Sequence, residues 1–364
     1  MKNKIRILVA PLNWGLGHAT RCIPIINKLI HEGFEPVIAS DGVALKILQK
    51  EFPNLIFEEL PSYNITYSKT SYFFKFKILS SAPKVLKTVK EEFKKTKKIV
   101  KQHDISVIIS DNRLGVHHPK IKSIFITHQV NVLSGFTTFI SSKIHAEFIK
   151  KFDECWIPDF EGIQNLGGKL SHDFKISTKT KYIGPLSRFT KTLLEPNYDF
   201  LLLLSGPEPQ RTLLETKLLN EFKDFEGNVI MVRGVIENKQ KQSRFGNILI
   251  YNFMTSSQLE ETINESKIVV SRSGYTTVMD LAKLGKKAFF IPTPGQTEQE
   301  YLAEKFNTDH IAPACKQSDF ELSQIKRVTG YFGFKEFSSE IPEDLFESFR
   351  VNENSLPTSI SLST

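Results

Sequence analysis

Residues 268–301, IVVSRSGYTTVMDLAKLGKKAFFIPTPGQTEQEY, constrain this chain more than any other stretch. The apolar triplet Ile268, Val269 and Val270 has the make-up of a strand buried on both faces. A tight polar turn, 271–274, separates it from a helical pattern. Val278, Leu281, Ala282 and Leu284 share one face of that helix, and Gly285 is its stop signal. A second apolar run, 288–291, ends at Pro292 and Pro294. The order is strand, turn, helix, strand, and the polar turn puts a helix amino end at a strand's carboxyl end. Unpaired amides and the positive end of the helix dipole suit a phosphate there. Asp280 lies near the first turn, where a carboxylate can accept both hydroxyls of a ribose. The same residues also fit an ordinary βαβ unit in which Asp280 only complements the dipole.

The rest of the chain repeats that alternation. Residues 5–10 form an apolar strand, and the loop 11–18, PLNWGLGH, follows it. A helix is predicted over 20–31, with Ile23, Ile25, Ile26, Leu29 and Ile30 apolar and Gly33 closing it. Pro24 falls in its first turn, where a missing amide does least harm. Further strands are predicted at 36–40, 56–60, 105–110 (running into Asp111), 123–127 and 154–158. Around Ile183, Gly184 and Pro185 the pattern breaks, and the polar stretch 190–197 reads as a linker. A second series starts at 200–204, with the loop 205–211, a helix through Leu213, Leu214, Leu218, Leu219 and Phe222, and strands at 229–232 and 248–251. The fold class is therefore α/β: two Rossmann-like, doubly wound domains, 1–190 and 198–349, facing a cleft at the carboxyl ends of both sheets. Residues 350–364, rich in Ser, Thr and Asn towards their end, read as a loose tail.

Composition narrows the partners. At 364 residues, 40% hydrophobic and 24% charged, the chain suits a globular protein of about two domains. No apolar run approaches ~20 residues, the length of a membrane span. The first residues, MKNKIRILVAP, have too short an apolar core for a signal peptide. Cys22, Cys155 and Cys315 are too scattered for a metal set or a disulfide framework, which suits a reducing cytoplasm. Cys22 sits on an apolar helix face and reads as core.

The net charge of +8 is concentrated. Eleven lysines stand against Glu91 and Glu92 between Lys69 and Lys101, a local +9. The remainder is close to neutral, which argues for one local partner and against a nucleic-acid surface. Within it, Tyr72, Phe73, Phe74 and Phe76 alternate with Lys75 and Lys77, and lysines at mostly helical spacing continue to Lys101. Such a stretch can dock on an anionic membrane surface, or it can be a solvated helix whose apolar residues belong to the core.

Candidate chemistry begins in the first loop. Gly15 and Gly17 let the backbone come close to a ligand. The loop is not a dinucleotide fingerprint, because Thr20 holds the third glycine position. Asp41, after the second strand, keeps a ribose-binding dehydrogenase reading open, but that reading leaves the second α/β domain without a purpose. His18 ends the loop. In a doubly wound sheet strands one and four are neighbours, so Asp111 should emerge beside His18, raising its basicity and fixing its tautomer as a general base requires. A loop histidine capping the helix is the plainer alternative. His117, His118 and His128 also stand at strand exits, at spacings that define no metal site.

The two α/β domains, the glycine-histidine loop and residues 271–301 together resemble the MurG-type glycosyltransferases of family 28, which have the GT-B fold. The resemblance runs over about 5–310 and is stronger in the second domain. His128, Gln129, Val130 and Asn131, through Gly135, Phe136 and Thr137, are also similar to that family's sequence after strand five. The resemblance implies that Ser273 and Gly274, with Thr277, sit at the nucleotide phosphates, and that Asp280 binds the ribose of UDP, where MurG has glutamate. Gln299 and Glu300 would face the donor sugar, Phe253 and Met254 would cradle the uracil, and Ser205 and Gly206 would lie in a divergent phosphate loop. Arg211 or Arg272 would stabilise the leaving diphosphate. Gly17 and His18 match the family's loop, with Asn13 and Gly15 in place of part of its glycine run and His128 nearby.

The activity implied is an inverting, metal-independent transfer of a hexose or N-acetylhexosamine from a UDP-sugar, as co-substrate, to a cell-envelope or lipid-linked glycan. It needs no further cofactor, and it places the protein in the cytoplasm, peripheral to the inner face of the membrane. A UDP-sugar 2-epimerase or hydrolase of the same fold, and a non-catalytic basic binding protein, are the alternatives.

Overall fold

The structure is a computed structural model that describes residues 4–63, 71–337 and 341–350, with the backbone path alone for 71–82 and Phe136. Residues 351–364, read above as a tail, lie outside the described residues.

The first domain is built on a seven-stranded parallel sheet. Its elements are β1 (Arg6–Pro11), α1 (Gly17–His31), β2 (Glu35–Ser40), α2 (Gly42–Glu51), β3 (Ile56–Glu59), α3 (Ser71–His103), β4 (Ile105–Asp111), β5 (Lys122–Ile126), α4 (Thr138–Ile149), β6 (Glu154–Ile157), α5 (Lys169–His172) and β7 (Lys179–Tyr182). The strand order is β3-β2-β1-β4-β5-β6-β7. The order reverses at β1 and β4, and Pro11 pairs with Asp111 in register there. That reversal is the crevice where α/β sheets bind ligands. Ile7, Leu8, Val9 and Ala10 are wholly buried, as expected for a strand covered on both faces.

The second domain comprises β8 (Tyr198–Leu203), α6 (Gln210–Phe222), β9 (Val229–Val232), β10 (Gln242–Phe245), β11 (Ile248–Tyr251), α7 (Ser256–Asn264), β12 (Ser266–Ser271), α8 (Tyr275–Leu284), β13 (Lys287–Phe290) and α9 (Thr297–Thr308). Its order is β10-β11-β9-β8-β12-β13, again reversing between the first strand and the fourth of the parallel series. β10 pairs antiparallel with β11 as an exposed edge hairpin. The sequence gives little sign of it, because Gln242, Ser243 and Arg244 carry no buried pattern. Gly285 takes the left-handed conformation that ends α8.

The domain boundary needs one correction. A 3₁₀ segment, Glu343–Phe349, follows the second domain in sequence but packs on the first. Phe346 and Phe349 meet Phe34 edge-on, and Phe349 stacks on Trp156 with ring centroids 6.1 Å apart. Arg350 donates to the Glu32 carbonyl at 3.0 Å. Four large rings buried together outweigh chain order, so this segment straps the two domains.

Both domains also meet directly. The Thr276 hydroxyl donates to the Gly17 carbonyl at 3.2 Å, and the Tyr275 hydroxyl to the Pro158 carbonyl at 2.9 Å. A cleft of about 1130 Å³ lies between them. Among the described residues no helix is long and apolar enough to cross a membrane.

Candidate active site

The cleft is walled by the β1–α1 loop on one side and by α8, α9 and the loops after β8 and β11 on the other. His18 stands in the first turn of α1 and lines it. Its Nδ1 lies 2.9 Å from Asp111 Oδ1. Asp111 is fully buried at the end of β4, so the neighbour relation of β1 and β4 brings the pair together as the sequence implies.

Arg21, one turn further along α1, completes this group. Its Nε donates to Asp111 Oδ2 at 2.6 Å and its Nη2 donates to Asp111 Oδ1. Nη2 also lies 2.9 Å from His18 Nδ1. Asp111 is thereby doubly held. Burial alone would raise its carboxyl, but Arg21 and then His18 outweigh burial and keep it well below the usual carboxylate range. His18 Nδ1 thus meets an acceptor, Asp111 Oδ1, and a donor, Arg21 Nη2, that is itself bound to the same carboxylate oxygen; with the ionised carboxylate as its partner His18 carries its proton on Nδ1 and leaves Nε2 as the nitrogen that can take a proton from a ligand. Burial lowers the His18 pKa, with Asp111 opposing and Arg21 reinforcing the fall. The imidazole is therefore neutral near pH 7, the state a general base needs.

Arg21 reaches further. Its Nη1 donates to His128 Nδ1 at 2.9 Å. The other ring nitrogen of His128, Nε2, lies 3.2 Å from Glu298 Oε1 on α9 in the opposite domain. Gln129 donates to the second Glu298 oxygen. The His128 ring stacks on Tyr275, centroids 4.3 Å apart and the rings nearly parallel. Burial would raise the Glu298 carboxyl, but His128 outweighs it and holds it low. His128 is thus a bridge between domains. Neither Arg21 nor Glu298 is singled out by the sequence: one hides in an apolar helix, and the other is 170 residues from its partner.

On the opposite wall α8 begins at Gly274 with no side-chain cap, and Gly274, Thr276, Thr277 and Asp280 line the cleft. Asp280 lies in the second turn and accepts from the Ser187 hydroxyl at 2.7 Å. Burial raises its pKa to about 6, against the pull of Arg188 and the Ser187 bond. Arg188 also lines the cleft and donates no hydrogen bond to a described residue, while its Nε is buried. Burial lowers its pKa, with Asp280 the strongest of the opposing charges. Ser205, Gly206, Phe253 and Met254 line the same wall, and Gly206 has a left-handed φ of 100° that favours glycine.

Several expected site residues face elsewhere. Arg211 is held by Glu208 and Glu215 and does not reach the cleft wall. Arg272 is fully buried, donating to the carbonyls of Ile291, Pro292 and Gln210 and to Gln317. It staples the loop after β13, and burial lowers its pKa to about 10. Ser273 is buried and donates to the Gln299 carbonyl at 2.7 Å. Glu300 is exposed and accepts from the Gly295 amide at 2.8 Å, outside the cleft wall. Gln299 lines the cleft, though its Oε1 accepts from the Thr293 amide. The carboxylate that reaches the cleft from α9 is Glu298.

In the β1–α1 loop, Asn13 donates to Asp41 at 3.0 Å and accepts from the Ala44 amide at 3.2 Å. Asp41 is buried and also takes Arg113, so it holds the loop and is no ribose ligand. Gly15 has φ of 81°. A Cβ on Gly17 would stand 2.8 Å from Thr276 Oγ1, so glycine there is what lets the domains approach. His117 packs between Phe93 and Phe152. Among the described residues no group of His, Cys, Asp and Glu could hold a metal ion.

Residues 200–330 match the glycosyltransferase family 28 C-terminal domain. Over 213 residues the chain is 24% identical to a UDP-N-acetylglucosamine–N-acetylmuramyl-(pentapeptide) pyrophosphoryl-undecaprenol N-acetylglucosamine transferase of Haemophilus ducreyi, covering 56% of each. This match spans only about half of that relative's length. Over 324 residues it is 24% identical to an uncharacterised glycosyltransferase of Methanosarcina acetivorans, covering 81% of this chain and 82% of that one. The fold superposes on the crystal structure of Acinetobacter baumannii MurG with a TM-score of 0.52 at 15% identity, covering 90% of both chains.

Proposed function

The chain belongs to the MurG-like glycosyltransferases of family 28, and from that premise we propose that it transfers a sugar from a UDP-sugar to an acceptor hydroxyl with inversion. One observation carries this reading. His18, paired with Asp111, stands across the cleft from the uncapped amino end of α8, because Gly17 and Thr276 are in contact. A base on one wall and a phosphate-binding helix end on the other is the arrangement a direct displacement needs. The acceptor hydroxyl gives its proton to His18 Nε2 as its oxygen bonds to the anomeric carbon. The bond from that carbon to the diphosphate oxygen breaks, and the leaving charge is met by the Thr276 and Thr277 amides and by Arg188. Asp280 takes the ribose hydroxyls, and Phe253 and Met254 flank the base. No step requires a metal. The donor class follows the printed name of the Haemophilus relative, whose donor is UDP-N-acetylglucosamine.

The acceptor we assign is a lipid-linked glycan met at a membrane surface. Val85 of α3 and Ser141 and His145 of α4 line the cleft, so both helices reach its mouth. Beside them Leu86, Phe139, Ile140 and Ile144 are exposed, Phe139 by 69%. Lys84, Lys87 and Lys143 are exposed among them. Apolar groups ringed by lysines suit an anionic headgroup layer. The side chains of Tyr72, Phe73, Phe74 and Phe76 lie outside the described residues.

Calorimetric titration with UDP, GDP and dTDP tests the donor site. UDP should bind most tightly, and Asp280→Ala should weaken it by about 1.5–3 kcal/mol, the range of a hydrogen bond to a charged group. Equal affinity for all three, unchanged by the substitution, would remove UDP and Asp280 from the site.

A further inference from the structure

Trp14 is the largest side chain of the β1–α1 loop, and neither the dyad nor the domain contact uses it. It is 40% exposed and lines the cleft. The loop beneath it is pinned. The Leu12 amide donates to the Asp111 carbonyl at 2.9 Å. Asn13 donates to Asp41 and accepts from the Ala44 amide, and it is seated so closely that a Cβ on Gly42 would collide with its side-chain amide. Behind them the buried Arg113 donates to the Pro11 carbonyl at 2.9 Å and to the Pro61 carbonyl at 3.3 Å, and pairs with Asp41 and Glu92. Gly15, with φ of 81°, then turns the chain towards Gly17 and His18. The indole is therefore presented to the cleft from a rigid root, four residues before His18. Four residues span at most ~14 Å even when extended.

A large apolar ring exposed inside a cleft has the character of a ligand platform. Polar groups edge this one. Arg113 holds Pro61 beside Pro11, so Ser62 and Tyr63 adjoin the loop, and both line the cleft. Asn112, which follows Asp111, lines it too; it has a left-handed φ of 56°, and its side-chain amide makes no hydrogen bond to a described residue. An apolar face with a hydrogen-bonding rim matches a pyranose. The axial C–H groups of the sugar carry slight positive charge and meet the negative face of the indole, while its hydroxyls point sideways to the rim. A lipid tail would strip water from those rim groups and pair none of them.

We propose that Trp14 is the stacking platform for a pyranose of the acceptor, either the ring that carries the reacting hydroxyl or the one beside it, with Asn112 bonding its hydroxyls. The loop belongs wholly to the first domain, on the wall of His18, whereas the nucleotide is assigned to the second. Calling this sugar the acceptor's rests on the transferase reading; the platform does not. A rigid platform needs no ordering when the sugar arrives. It also selects by shape: a sugar with an unbroken C–H face stacks, and one with an axial hydroxyl on that face does not.

The chain has two tryptophans, and the other, Trp156, is buried and stacks on Phe349. Acrylamide quenching of the full-length protein therefore reads Trp14, while the protected emission of Trp156 reports the fold. The probes are methyl glycosides of hexoses and N-acetylhexosamines, their 1,4-linked disaccharides, and farnesyl phosphate as a lipid without sugar, each with and without UDP. Glycosides with an unobstructed C–H face should shield Trp14 from quenching in both conditions, and farnesyl phosphate should not. In ligand-observed NMR, Trp14→Ala should weaken the same glycoside roughly 10-fold and Trp14→Phe less, with the calorimetric UDP affinity unchanged. Trp14 quenching that no glycoside alters, shielding by farnesyl phosphate alone, or a glycoside affinity untouched by Trp14→Ala would each overturn the proposal. Failure of UDP to bind would overturn the donor assignment and leave the glycoside result standing.

Discussion

Replacing Asp280 by Asn should make the free protein more stable while it weakens UDP binding. Burial lifts the Asp280 pKa from 3.8 to about 6. At about 1.4 kcal/mol per decade of proton affinity, ionising it in the folded state costs about 3 kcal/mol. Asp280 is half-buried on the wall of an open cleft, so solvent shares the charge and roughly 1–3 kcal/mol is the working range. The sign follows from the raised folded pKa. Below 3.8 both states are protonated and the penalty is absent; it opens as pH rises through 3.8 to about 6 and is constant above. Asn has nearly the same shape, can still accept from Ser187, and does not ionise. Asp280→Asn should therefore raise the melting temperature by roughly 1–4 °C near pH 7.5 and leave it nearly unchanged near pH 4. Calorimetric affinity for UDP should fall in the same protein, the usual trade between a strained site and its function. A melting temperature that falls at neutral pH, or that rises equally at both, would refute the argument that Asp280 carries a desolvation penalty.

Gly17→Ala should lower turnover roughly 10–100-fold by holding the domains apart, since its Cβ meets Thr276 Oγ1 at 2.8 Å; adding Thr276→Ala should recover much of it, and an undiminished Gly17→Ala enzyme would show that this contact does not govern closure. Arg188→Ala should weaken UDP more than uridine, because the guanidinium is assigned to the diphosphate, and equal losses measured by calorimetry would move it to the nucleoside. Sedimentation with anionic vesicles should carry the protein down at low salt and release it at high salt, and Phe139→Ser with Ile140→Ser should weaken that binding; equal, negligible binding to anionic and neutral vesicles would favour a soluble acceptor.

The fold was legible because buried parallel strands leave apolar runs that need no partner to be recognised. Ile268, Val269 and Val270, and Ile105 to Ile109, are of this kind. The dyad was legible for a topological reason: once β1 and β4 are neighbours, His18 and Asp111 have to meet. Glu298 was not legible, because its partner lies in another domain and only closure brings them together. Arg211 and Arg272 show the converse. Their positions in loops at strand exits suit a phosphate, yet the local carboxylates in one case and loop carbonyls in the other take the guanidinium first. The return of Phe346 and Phe349 to the first domain leaves no local signal either, since it depends on a ring pocket formed by Phe34 and Trp156.

The most direct test of the central claim follows UDP release from a panel of UDP-hexoses and UDP-N-acetylhexosamines, with and without a lipid-linked glycan acceptor, in native protein and His18→Ala. Release should depend on the acceptor, and His18→Ala should lower it by roughly 10²–10⁴ while UDP affinity stays nearly unchanged. UDP release at the same rate without acceptor would identify a hydrolase, and near-native turnover in His18→Ala would show that the base lies elsewhere.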